Sequence, residues 1–191
     1  MKTAVLVNGV PASGKSTVAR ALADATGWPL LALDTVKEAL FAHLGTGDRE
    51  HNRLMGRASY AAIFALAADF PAHTTLIVDA WFGFQPREVL ERHLAHAGIA
   101  RALEIWCHAP PEVIGARYMA RLGQRSAGHL GADYVPELVE LARSARPLGL
   151  CPSFAVDTTQ SVTPGDILHW MGNEGARNPL PLGEGRPAGP G

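Results

Sequence analysis

The segment Gly9-Val10-Pro11-Ala12-Ser13-Gly14-Lys15-Ser16-Thr17 constrains this chain more than any other stretch. It fits G-x-x-x-x-G-K-[ST], and its surroundings fit as well. Thr3 to Val7 reads as a short buried strand, and Val18, Ala19, Leu22 and Ala23 recur at helical spacing. A glycine-rich turn between strand and helix exposes successive backbone N–H groups, and the helix points its positive end at the same spot. The pattern predicts a polyphosphate cradle made of Gly9, Pro11, Ala12, Ser13, Gly14, Lys15, Ser16 and Thr17. Lys15 reaches the outer phosphates as a point charge, and the Ser16 hydroxyl is the expected Mg²⁺ ligand.

Downstream, strands and helices alternate. Pro29 to Leu33 reads as a second strand closed by Asp34, and Val36 to Leu44 as a helix capped by Asp34 or Thr35. A long helix is predicted from Glu50 to Phe70, with Leu54, Ala58, Ala61, Ala65 and Ala68 on its packed face. Further strands are expected at Thr74–Asp79, Ala102–Cys107 and Ser153–Val156. Helices are expected at Pro86–Ala97, Pro111–Leu122, Pro136–Ala145 and Pro164–Met171. This alternation implies an α/β fold with a parallel sheet. A chain of 191 residues is one domain, spanning 1–171, and the Pro/Gly-rich stretch 172–191 reads as a disordered tail.

Composition narrows the classes. With 47% apolar and 18% charged residues a packed core is expected, and a net charge of −1 gives no general attraction to nucleic acid or anionic membrane. Cys107 and Cys151 form no CxxC, so neither a disulfide framework nor a zinc site is indicated. No apolar run approaches the ~20 residues of a membrane span, and the first residues do not read as a signal peptide. A cytoplasmic protein is expected. Scarce lysine beside abundant alanine and arginine suits a GC-rich bacterial genome.

Ligands of open parallel sheets bind beyond the carboxyl ends of the strands. That rule gathers the phosphate loop, Asp34, Asp79, His108 and Asp157 at one edge. Asp34 is the candidate base that orients and deprotonates an acceptor hydroxyl, beside its reading as a helix cap. Lys37, one turn on, can hold substrate or a phosphate, or be solvated. Asp79 is the candidate for Mg²⁺ or its waters, and the reverse division of labour with Asp34 stays open. Arg117, Arg121 and Arg125 are spaced i, i+4, i+8 and form one basic stripe if the helix extends that far. They lead into the polar, glycine-rich and mobile segment Gly123 to Ala132, and together, over about 117–134, they read as a lid that brings positive charge to a transferring phosphoryl group. Arg117 can alternatively stack on an adenine, and His129 can join the lid or sit exposed in its loop. Trp81, Phe82 and Phe84 either wall an acceptor pocket or pack under the long helix, while Trp28, Trp106 and Trp170 read as core.

The run Asn8 to Thr17 followed by Leu33-Asp34-Thr35-Val36-Lys37, with Cys107 to Val113 leading into the arginines, resembles small bacterial P-loop kinases. These include the polynucleotide 5′-hydroxyl kinase domain, chloramphenicol phosphotransferase and the gluconate and shikimate kinases. The resemblance covers about residues 3–171. It implies a three-layer α-β-α P-loop NTPase fold, a five-stranded sheet in the order 2-3-1-4-5, and ATP-dependent transfer to a hydroxyl, with Asp34 as base. Lys37 stands where polynucleotide-kinase-like members carry Arg, which removes bidentate recognition there. Ala12 stands where the loop commonly has Gly. The leading expectation is therefore a kinase for a small alcohol such as a sugar, nucleoside or antibiotic, its acceptor chosen by Asp48 to Arg57 and the Trp81 to Phe84 loop. A polynucleotide kinase and a toxin-like nucleotide-sugar kinase are sub-cases. A non-catalytic nucleotide-binding or switch module is the alternative of another class. The Asn-Lys-x-Asp motif that a GTPase needs is missing from the sequence.

Overall fold

The computed structural model describes residues 1–124, 126, 128–161 and 163–175. Five parallel strands form one sheet: β1 (Thr3–Asn8), β2 (Leu30–Ala32), β3 (Thr75–Ala80), β4 (Arg101–His108) and β5 (Ser153–Asp157). Their order is β2-β3-β1-β4-β5, as the resemblance implied. The interior strands β1, β3 and β4 are almost wholly buried, so they read in sequence as apolar runs rather than as alternating patterns. The helices are α1 (Lys15–Thr26), α2 (Leu33–Leu44), α3 (Arg49–Asp69), α4 (Arg87–His96), α5 (Pro111–Ala120), α6 (Val135–Ser144) and α7 (Pro164–Gly175).

Alternate residues of each strand point to opposite faces of the sheet. Ala4, Leu6, Leu76 and Val78 face α3 and α4, meeting Tyr60, Ile63, Phe64, Leu90 and Leu94. Val5, Val7, Ile77, Leu103 and Ile105 face α1 and α7, meeting Ala19, Leu22, Ile167 and Met171. The result is three layers, α-β-α. A third cluster joins Val10 and Ala12 of the phosphate loop to Ile114 and Tyr118 of α5 and Leu138 of α6. Among the described residues no helix is long and apolar enough to cross a membrane.

Several expectations are corrected. Strand β2 is a three-residue edge strand, and α2 begins at once with Leu33, so Asp34 lies in the first helical turn and Ala32 takes the cap position. Asp34 therefore neither ends a strand nor caps the helix. The packed face of α3 is Met55, Gly56, Ser59, Tyr60, Ile63, Phe64 and Ala67, while Leu54, Ala58, Ala61 and Ala65 are exposed. Two aromatic rings bury far more apolar area than a row of alanines, and they turn the helix. Helix α5 stops at Ala120 and a short 3₁₀ turn follows at Leu122–Gln124, so the three arginines share no continuous helix. Helix α7 runs to Gly175 instead of ending at Met171, and 176–191 lie outside the described residues.

Candidate active site

Between Asn8 and Lys15 the chain closes the phosphate loop at the carboxyl end of the central strand. A β-carbon on Gly9 would collide with the Ser13 hydroxyl and the Cys107 carbonyl, so only glycine fits there. Gly14, at φ 89°, supplies the left-handed turn into α1. Ala12, at φ 67°, is the one described residue other than glycine with positive φ. A left-handed L-residue costs about 1 kcal/mol, which explains why glycine suits this position better. No side chain caps the first turn of α1; the Thr17 N–H closes on the Gly14 carbonyl at 3.0 Å, and the Lys15 and Ser16 N–H groups remain for a ligand. The Ser13 hydroxyl oxygen is buried without a hydrogen-bond partner among the described residues.

The loop opens on a cavity of about 400 Å³ bordered by Pro11, Lys15, Asp34, Lys37, Asp79 and Trp81. The register of β2 on β3 sets Ala32 beside Asp79, which brings the start of α2, and with it Asp34, to the third strand's end. Asp79 is 5% exposed, and its Oδ1 has no hydrogen-bond partner among the described residues. Burial raises its pKa above the usual carboxylate range. The Lys15 ammonium and Ser16 hydroxyl pull the other way, and the Asp34 carboxylate adds to the rise. Lys15, Ser16, Asp34 and Asp79 thus share one electrostatic neighbourhood. Lys37 donates to Asn52 Oδ1 at 2.9 Å and lies over the Phe41 ring, 5.5 Å from its centroid.

The aromatic trio divides between the two readings open for it. Phe82 is buried against Tyr60, with ring centroids 5.9 Å apart. Trp81 and Phe84 border the cavity, Trp81 also resting against Trp106 at 6.2 Å. The loop is fixed from beneath by Asn8, whose Oδ1 accepts from the Phe82 N–H at 3.2 Å and whose Nδ2 donates to Glu104 at 2.7 Å. Glu104 is buried, and that burial raises its pKa. Trp106 is core, whereas Trp28 and Trp170 are only half-buried at the α1/α7 face.

The segment after α5 folds over the cavity. His129 meets Glu38 of α2 at 2.8 Å and packs edge-on to Phe41, instead of standing exposed in its loop. Asn52 donates to the Gly128 carbonyl, and the Tyr118 hydroxyl donates to the Leu130 carbonyl at 2.7 Å. Arg117 is held at the end of β5. It donates to the Thr158 hydroxyl at 2.8 Å and to its carbonyl at 2.9 Å, and the Thr158 hydroxyl donates onward to the Ser13 carbonyl at 2.7 Å. Arg117 therefore braces the phosphate loop through β5's end. Arg121 lies at the α5 terminus, its Nε 3.4 Å from the Arg117 carbonyl. Arg125 lies outside the described residues. Asp157 and His108 stand opposite each other at the ends of β5 and β4, where Asp157 accepts from Thr159.

Sequence reading named Asp48 to Arg57 as a source of specificity without naming residues. The structure shows Arg49, Asn52, Arg53, Gly56 and Arg57 of α3 on the cavity, faced by Tyr134 and Glu137 from around the start of α6. The arginine spacing of four was the available signal; the partnership with α6 had none.

Residues 5–136 match the model of the AAA_33 family, described as an AAA domain. The chain belongs to that family. A solved structure of a candidate kinase from Chloroflexus aurantiacus j-10-fl is 30% identical to this family member, with TM-score 0.78, over 90% of this chain and 97% of that one. Shikimate kinase from Acinetobacter baumannii in complex with shikimate has 15% identity and TM-score 0.57, over 92% and 95% of the two chains. A gluconokinase from Sinorhizobium meliloti 1021 has 19% identity and TM-score 0.53, over 87% of each chain. These last two share the fold. No curated protein matches the sequence. The fold is that of P-loop kinases.

Proposed function

We propose that the chain is an ATP-dependent kinase that transfers the γ-phosphoryl group to a hydroxyl of a small molecule. One observation carries the reading: the phosphate-loop Lys15 and the Asp34 and Asp79 carboxylates border a single cavity large enough for a small acceptor. Gly9 and Pro11 to Thr17 form the triphosphate cradle, in which backbone N–H groups such as those of Gly14, Lys15 and Ser16 donate to phosphate oxygens, with the Lys15 ammonium on the outer ones. The acceptor hydroxyl attacks the γ-phosphorus, the bond to the β–γ bridging oxygen breaks, and ADP leaves. The hydroxyl proton passes to Asp34, which lies in the first turn of α2 and borders the cavity. Arg121 and Arg125 supply positive charge to the transferring group from the lid, and Arg117 keeps the phosphate loop in shape through Thr158.

The donor set suits Mg²⁺. Ser16 offers a hydroxyl, and Asp79 offers a buried oxygen that nothing else in the described structure satisfies. Mg²⁺ commonly takes one or two protein oxygens and completes its shell with water and phosphate. When bound, it supplies charge neutralisation on the phosphate oxygens. Asp79 thus serves the metal side and leaves Asp34 for the acceptor.

Replacing Asp34 by Asn tests the assignment. ATP affinity should persist while phosphoryl transfer, followed as ADP release with product mass across a panel of alcohols, falls by about 10²–10⁴. Undiminished turnover removes Asp34 from the chemistry. A wild-type protein that binds ATP and phosphorylates no alcohol is a nucleotide holder.

A further inference from the structure

The acceptor side of the cavity carries more positive charge than phosphoryl transfer from ATP requires. Lys15 belongs to the nucleotide, and Arg49 is neutralised by Glu137 in a two-pronged ion pair. Lys37 is engaged with Asn52 and the Phe41 ring. Arg53 and Arg57 have no hydrogen-bond or ion-pair partner among the described residues, yet both border the cavity.

They stand one helical turn apart on α3, on either side of Gly56, whose backbone comes against the Phe84 ring. Glu137, paired to Arg49, also lies within the field of Arg53, and the two guanidinium groups beside an aromatic wall offer several N–H donors to a planar or tetrahedral anion. A basic helix face that only meets solvent would not border the same space as Asp34. The carboxylates gather where the hydroxyl must react, and the unpaired arginines gather along α3.

Resting on the kinase reading, we infer that the acceptor is an anionic alcohol, its carboxylate or phosphate group bound by Arg53 and Arg57 while its hydroxyl meets Asp34. The two arginines discriminate against neutral sugars and nucleosides, because such an acceptor leaves them idle. They are specificity residues and take no proton.

The test uses matched probes: D-glucose, D-gluconate and D-glucose 6-phosphate, and shikimate beside its methyl ester. Binding is read as thermal stabilisation in the presence of Mg²⁺ and the non-hydrolysable β,γ-imido analogue of ATP. Turnover is read with Mg-ATP. At least one anionic member should bind at least about tenfold more tightly than its neutral twin, and the gluconate and 6-phosphate arms separate carboxylate from phosphate recognition. In the double variant Arg53→Gln, Arg57→Gln its Kd or KM should rise about ten- to a hundredfold, with KM for ATP unchanged. Equal binding of neutral twins, an unaffected double variant, or no binding by any member overturns the inference. Phosphorylation of neutral members alone overturns it and leaves the kinase reading standing. Arginine-dependent anion binding without phosphorylation upholds the anion site at Arg53 and Arg57, but overturns the ligand's role as acceptor together with the kinase reading.

Discussion

Asp79 holds a carboxylate where burial disfavours charge, and it does so next to a lysine, a hydroxyl and a second carboxylate. Its pKa in the folded protein is raised above the unfolded value, so the folded state binds the extra proton. Stability without ligand therefore falls as pH rises from the ordinary carboxylate range through the folded pKa. Asn at this position never ionises. Asp79→Asn should raise the melting temperature of the ligand-free protein at neutral pH, and the advantage should shrink on acidification. The same variant should lose the stabilisation that Mg-nucleotide gives the wild type. Differential scanning calorimetry across pH, with and without Mg-ATP, checks both signs; a variant that is less stable at neutral pH refutes the reading of Asp79 as a strained metal ligand.

At the scale of the element, α3 shows how much the sequence disclosed and where it stopped. The cap, Asp48 accepting from the His51 N–H, emerged only in the structure, but the helix's existence was plain from the helical spacing of its apolar residues and from Pro71 beyond its end. Its orientation was not, because a row of alanines and a row with Tyr60, Ile63 and Phe64 both have helical spacing, and only burial area separates them. The interior strands and the phosphate loop were legible, since a buried parallel strand and a glycine turn each write a local signature. The end of α5 was not, because Arg121-Leu122-Gly123 contains no proline to force a stop. Nor was the acceptor wall, which meets only when α2, α3, the loop after β3 and α6 have packed. The buried face of α3 also contains a flaw: the Tyr60 hydroxyl has no partner among the described residues, and burial pushes its pKa well above an ordinary phenol's. Tyr60→Phe keeps the ring contacts with Phe64 and Phe84. It should stabilise the protein by about 1 kcal/mol, read from the urea midpoint at unchanged m-value. A loss of stability would mean that the hydroxyl is satisfied.

For the whole molecule, the layers are tied together at the edge of the sheet opposite the cavity by Lys2. Its ammonium is buried and donates to the carbonyls of Ala67, Ala68 and Ala97, at 2.8, 2.9 and 3.0 Å. These are the negative ends of α3 and α4, so one cation serves two helix termini. Lys2→Met keeps the aliphatic stem and should cost about 3 kcal/mol in equilibrium unfolding while leaving ATP affinity in the folded fraction unchanged. An effect under about 0.5 kcal/mol would make the contact incidental. The same residue bears on how the chain is made. Lys2 and β1 leave the ribosome before the elements they bond to: the ammonium's acceptors lie 65 to 95 residues later, and β1 pairs with β3 and β4 from Thr75 and Arg101 onward. The central strand must therefore wait, unpaired and apolar, until β3 has been synthesised, and it lacks its second neighbour until β4 follows, which leaves nascent β1 in need of a chaperone's cover.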